Sequence, residues 1–159
     1  MRILTFMAAV ILVVAPHWTE AAPAQGTLLP ASTGAAGLSK PELSVRWWKW
    51  AGSFDYDESP VSDGTGERCA ARQEGPVWFL AGTYGSRPAK RTCHVPSGKH
   101  LFFPLINYVV MPSNCGDCLT CDQATGTTRK ITDDVMGLFA ELDGVPLQGL
   151  NEHRVASKA

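Results

Sequence analysis

The sequence predicts a mainly β domain: a partial, jelly-roll-like β-sandwich preceded by one amphipathic helix. Three observations carry that expectation. All 15 glycines and nine of the 11 prolines lie beyond residue 24, and only 18% of the chain is charged, a balance that disfavours a helical bundle and favours turn-rich structure. Two short apolar runs, PVWFLAG at 76–82 and KHLFFPLINYVV at 99–110, read as buried strands. Pro96-Ser97-Gly98 and Asp143-Gly144 lie between apolar runs, where hairpin turns are expected.

The 159 residues amount to about one domain. Residues 1–24 read as a signal peptide: Arg2 supplies a positive start, residues 3–15 are almost wholly apolar, and Ala22-Pro23-Ala24 is a small-x-small cleavage site before Gln25. The apolar run is too short to span a bilayer, which takes about 20 residues, and no later run approaches that length. The expected location is therefore secreted or periplasmic, with no membrane span. Residues 25–38, small, polar and punctuated by Gly and Pro, read as a flexible leader, because such a stretch buries too little apolar surface to offset its ordering entropy.

Residues 39–159 are expected to form one β-rich domain. Ser39 and Glu42 fit a capping box with Pro41 in the first turn. Leu43, Trp47, Trp50 and Phe54 then fall on one stripe at helical spacing. An amphipathic helix over 40–51 follows, ending at Gly52, with Trp48 off the stripe. The acidic, Pro- and Gly-rich run 55–67 is a surface loop. Residues 76–82 form a strand buried on both faces. Residues 91–95 and 99–110 form a hairpin around Pro96-Ser97-Gly98, with Pro104 at a bulge or an edge because it has no N–H to donate. Residues 111–128 read as a loop carrying three cysteines. Thr132 caps a short helix, with a single helix over 132–143 as the alternative. Residues 138–142 and 145–150 form a hairpin around Asp143-Gly144. Five strands are few for a sandwich, so the module is either small or a C-terminally truncated version of a longer one. An apolar face near Leu138, Leu142, Val145 and Leu147 is then expected to stay open, favouring a homodimer.

Laid end to end, W-W-x-W (Trp47, Trp48, Trp50), D-x-T-G-x-x-C (Asp63 to Cys69), Q-x-G-P-V-W-F-L-A-G (Gln73 to Gly82), R-x-C-x-V-P-x-G-K-x-L-F-F-P-L-I-N (Arg91 to Asn107) and L-D-G-V-P-L (Leu142 to Leu147) resemble a family of secreted bacterial proteins that carry no assigned activity. The resemblance covers residues 47 to about 154. It implies export and a longer chain with further strand-like segments after the Asp-Gly hairpin, but it supplies no catalytic residue. Cys115-x-x-Cys118-x-x-Cys121 is not part of the shared pattern.

The remaining candidates are read from residue chemistry. In an oxidising compartment Cys69 and Cys93, which flank the 76–82 strand, are expected to form a disulfide. Cys115, Cys118 and Cys121 read first as a loop staple with one thiol left over. The alternatives are a zinc or other soft-metal site completed by His94 or His100, and a redox pair at Cys115 and Cys118. Asp55, Asp57, Glu58, Asp63 and Glu67 offer enough oxygen for calcium, although their spacing fits no EF-hand. His94 and His100 flank a predicted turn and, with a loop carboxylate, would be the minimum for hydrolysis. Trp48 is the one candidate platform for stacking on a glycan.

A formal net charge of −1 excludes a dominant electrostatic attraction to nucleic acid. The reading that follows is a disulfide-stabilised, non-enzymatic binding or envelope-associated module, with a glycan or cell-envelope component as partner and no cofactor. The alternatives are a secreted hydrolase using His94 or His100, and a metal or thiol protein using Cys115, Cys118 and Cys121.

Overall fold

The structure, a computed structural model, describes residues 26–85, 88–110 and 120–156. In chain order it contains α1 (Lys40–Ala51), a 3₁₀ turn (Tyr56–Glu58), β1 (Val77–Phe79), β2 (His100–Phe102), α2 (Cys121–Asp133), β3 (Glu141–Leu142), β4 (Val145–Pro146) and a second 3₁₀ turn (Leu150–His153). The strands make two two-stranded sheets, β1 with β2 and β3 with β4. This overturns the expected mainly β, jelly-roll-like sandwich: among the described residues, two helices and four short strands replace five longer strands.

α1 forms where its sequence signals place it. Ser39 Oγ accepts from the Glu42 N–H, and the Glu42 carboxylate accepts from the Ser39 N–H at 2.8 Å. Leu43, Trp47, Trp50 and Ala51 are buried. Around them Trp48, Phe54, Val61, Phe79, Ala81 and Phe102 complete an aromatic core, in which Trp50 meets Phe79 at 5.7 Å and Phe54 at 5.9 Å between ring centroids. Both core indoles also donate hydrogen bonds, Trp47 to the Leu80 carbonyl at 2.9 Å and Trp50 to that of Ala71 at 3.0 Å. Each therefore gains burial without leaving its N–H unpaired.

The expected hairpin over 91–110 is absent. β2 pairs in parallel with β1, with Val77 opposite His100, Trp78 opposite Leu101 and Phe79 opposite Phe102. Residues 91–95 are engaged elsewhere, and this is the physical reason. Cys93 is bonded to Cys69, with 5.9 Å between their Cα atoms, and the Thr92 N–H donates to the Thr65 carbonyl at 3.0 Å. Gly66 lets those backbones meet: its φ is 97°, and a Cβ there would lie 2.5 Å from the Thr92 oxygen. β2 ends at Phe102, two residues before Pro104, so residues 104–110 do not continue the strand. Leu101, Leu105, Ile106 and Tyr108, expected inside a sandwich, are exposed. On the other edge of β1, Gln73 takes the place of a strand: its amide oxygen accepts from the Phe79 N–H at 2.9 Å and its NH₂ donates to the Phe79 carbonyl at 2.8 Å.

The second correction is α2. The expected helix start at Thr132, and the alternative helix over 132–143, give way to a helix that begins at Cys121 and ends at Asp133. Part of the expected 111–128 loop is therefore helical. Thr120 and Gln123 form a reciprocal capping box, at 3.2 Å and 2.8 Å. Threonine has modest helix propensity, but here the hydroxyls of Thr125, Thr127, Thr128 and Thr132 each donate to the carbonyl four residues earlier, so no polar group competes unsatisfied. No residue of α2 is buried.

The Asp143-Gly144 hairpin forms as expected. Both residues have positive φ, 52° and 79°, as a type I′ turn demands. Leu138, Leu142 and Leu147 are half-buried and Val145 is exposed, as are Met136 and Phe139. Residues 26–38, read as a flexible leader, carry a short bridge between Ala35 and Leu38. Lys40 Nζ donates to the carbonyls of Pro30 and Ala31. No helix among the described residues is long and apolar enough to cross a membrane.

Candidate functional site

The acidic loop is organised by one carboxylate. Asp63 is 6% exposed. One of its oxygens accepts from the N–H and the hydroxyl of Thr65, both at 2.8 Å. The other accepts from the N–H groups of Gly66 and Arg68, at 3.0 and 2.9 Å. Burial pushes the carboxyl pKa up, but the donors from Arg68, Thr65 and Gly66 outweigh it and hold the group at about 2. Asp63 is thus the anchor of its loop, with four donors already in place. Asp55, Asp57, Glu58 and Glu67 are exposed around it. Among the described residues no three His, Cys, Asp or Glu side chains cluster as a metal site would require.

Arg91 clamps the same loop to the segment that follows β1. Its Nε donates to the Asp63 carbonyl at 2.6 Å, Nη1 to those of Ala81 and Gly82 at 2.9 and 3.0 Å, and Nη2 to that of Val61 at 3.1 Å. One guanidinium therefore satisfies four carbonyls from two separate chain segments, which its planar fork of five donors allows. Together with the Cys69–Cys93 disulfide, this clamp accounts for the polar residues of the D-x-T-G-x-x-C and R-x-C motifs. They hold structure.

The other sequence candidates are dispersed. Trp48 is half-buried, its ring nearly perpendicular to that of Trp47 at 5.2 Å between centroids. His94 and His100 are exposed, and no Asp or Glu oxygen among the described residues lies within 4 Å of either. Among the described residues, neither histidine is paired with a carboxylate. Cys115 and Cys118 lie outside the described residues. Cys121 is the first residue of α2, exposed, and has no disulfide partner among the described residues.

A concave site does exist, and its charged residues are not among those singled out in the sequence. A cleft of about 590 Å³ opens between α1, residues 72–79 and the 36–38 turn. Leu38, Trp50, Val77 and Phe79 contribute its apolar surface, and Arg46, Lys49, Arg72 and Glu74 its charges. Arg46 and Lys49 are three residues apart on α1 and so are neighbours on its surface. Both are exposed, and neither hydrogen-bonds to a described side chain or carbonyl. Arg72 is positioned from two sides. Its Nη1 donates to the Ser53 carbonyl at the end of α1, and its guanidinium carbon lies 4.5 Å above the Phe54 ring, a favourable cation–π distance. Its backbone has a φ of 50°, an uncommon conformation for a non-glycine residue. Set against protein-family models, curated proteins and solved structures, the chain matches none of them.

Proposed function

We propose that this chain is an exported, non-enzymatic binding module of the cell envelope or its surroundings. The reading takes export from the sequence features of residues 1–24 and from the disulfide, which persists in oxidising compartments. The observation that carries the binding role is a division of labour among the polar groups. Asp63, Arg91 and Gln73, buried or half-buried, are engaged by several hydrogen bonds each within the fold, and the Trp78 indole N–H is the buried side-chain donor left without a partner among the described residues. The cations around the cleft, Arg46, Lys49 and Arg72, retain most of their donors among the described residues. A fold clamped this way offers a preformed surface, and preformed, partly apolar clefts with a few polar groups are what small ligands select.

The testing experiment is a ligand screen on the secreted mature protein, spanning small organic anions, neutral saccharides and cell-wall fragments. Melting temperature is the first readout, followed by mass spectrometry of the recovered ligand. The proposal expects a ligand that raises the melting temperature and is recovered chemically unchanged. A stabilising compound recovered cleaved or otherwise converted would replace the binding role with an enzymatic one.

A further inference from the structure

We propose that the cleft takes a small organic carboxylate with a compact apolar body, its anionic head held by Arg46, Lys49 and Arg72 and its body laid on Trp50, Val77 and Phe79. This inference rests on reading the chain as a binding module and adds the chemical class of the ligand.

Charge is the first argument. Three cations and one carboxylate border this cleft in a chain whose formal net charge is −1. The local potential is therefore opposite in sign to that of the whole molecule, and a concave site with apolar walls focuses it. Preorganisation is the second. Arg72 is held over Phe54 and tied to Ser53 by one nitrogen, while no described acceptor engages its Nε or Nη2. A guanidinium fixed in this way, with donors remaining, suits a carboxylate with little further entropy loss. Arg46 and Lys49 complete the cationic rim from α1. Glu42, one turn before Arg46, has its carboxylate hydrogen-bonded to the Ser39 N–H and hydroxyl.

Glu74 narrows the class. Its carboxylate stands at the same rim and disfavours a second negative charge on the ligand head. A monoanionic carboxylate is therefore preferred over a phosphate monoester. The apolar surface argues for a body that is aliphatic or aromatic, since a polar one would leave its hydroxyls unpaired against Val77 and Phe79.

Isothermal titration of the full secreted chain with 2-naphthoate, 2-naphthylmethanol and inorganic phosphate tests this. The expected result is saturable naphthoate binding, at least tenfold weaker binding of the neutral alcohol and of phosphate, and weakening as salt rises from about 50 to about 500 mM and shortens the screening length. Arg46→Glu combined with Lys49→Glu, both on the exposed side of α1, should weaken naphthoate at least tenfold. Arg129→Glu combined with Lys130→Glu, the same charge change on α2, should leave it unchanged. Circular dichroism confirms that both variants fold. Naphthoate binding unaffected by reversal on α1, or equal binding of acid and alcohol, would overturn the ligand class and leave the binding role standing. Failure of naphthoate to bind the folded wild type up to millimolar concentration would also overturn the class. Chemical conversion of a bound ligand would instead overturn the underlying reading of a non-enzymatic module.

Discussion

Residues 39–102 and residues 120–156 are held together in different ways. The first region has every buried tryptophan among the described residues, the disulfide, the Asp63 loop and the Arg91 clamp. The second has Ala140 as its sole buried apolar residue, and its helix buries none. Local devices shape it instead: a capping box at Thr120, threonine hydroxyls bonded back along α2, and a two-residue turn at Asp143-Gly144. Arg154 ties the last turn to α2 through Asp133, Thr132 and the Arg129 carbonyl. Lys40 Nζ meets His153 Nδ1 at 2.9 Å, and this is one of the few links between the regions. Cooperative stability is therefore expected in the region that carries the cleft, and local, separable order in the other.

The largest effect should come from the aromatic core. Trp50→Ala removes a 7% exposed indole and its hydrogen bond to Ala71, and should cost about 3–5 kcal/mol. Trp48→Ala, at a half-buried site, should cost about 1–2 kcal/mol. Urea melts of the two variants check this. Equal losses would mean that both faces of α1 are buried equally.

Next comes the clamp. Arg91→Lys keeps the charge, but an ammonium has no planar fork to reach four carbonyls at once. The loss should be about 2–3 kcal/mol, since hydrogen bonds to charged groups each contribute about 1.5–3 kcal/mol. The same melts read it. Wild-type stability in Arg91→Lys would show that the clamp is replaceable by any cation.

Asp63 gives a pH dependence with a definite sign. Its folded pKa, about 2, lies below the ordinary 3.8, so the unfolded chain takes up the proton first and stability falls with acid. The contribution is complete above pH 4 and lost as pH falls toward 2, by about 2 kcal/mol. Asp63→Asn, which keeps acceptors only on one side of the group, should flatten that limb in acid melts. A limb that persists unchanged would place the acid sensitivity elsewhere.

The smallest effect is expected at the second capping box. Thr120→Ala removes an N-cap and should weaken α2 by about 1 kcal/mol. Far-UV ellipticity should fall while the melting midpoint of the tryptophan core stays put. A shift of both together would couple the two regions more tightly than their contacts suggest.

Legibility in the sequence follows the same divide between local and distant determinants. α1 was readable because cap, proline and stripe all lie within 16 residues, and the Asp-Gly turn because two residues decide it. The Cys69–Cys93 pair was readable from the compartment and from the strand between them. The parallel β1–β2 pair was not, because what prevents a hairpin is a set of long-range contacts: Arg91 to Val61 and Asp63, Thr92 to Thr65, and Gln73 filling the edge of β1. α2 was missed because its threonines argue against a helix and it has no apolar stripe to argue for one. The Thr120–Gln123 spacing was the available signal. The cleft was missed because Arg46 and Lys49 look like a solvated face until Arg72, Glu74 and Val77 are folded against them. The nearest hint was that Arg46 lies one turn before Trp50, beside the stripe rather than opposite it.

Amide hydrogen exchange on the native chain, read segment by segment, tests most directly the claim that a clamped core region carries the cleft while the C-terminal region holds only local order. Amides of residues 47–51, 63–68 and 77–80 should exchange only through global unfolding and become the slowest in the molecule. Those of α2 should exchange through local opening, many times faster and insensitive to Trp50→Ala. Protection of α2 equal to that of α1, lost in parallel when Trp50 is removed, would contradict the account.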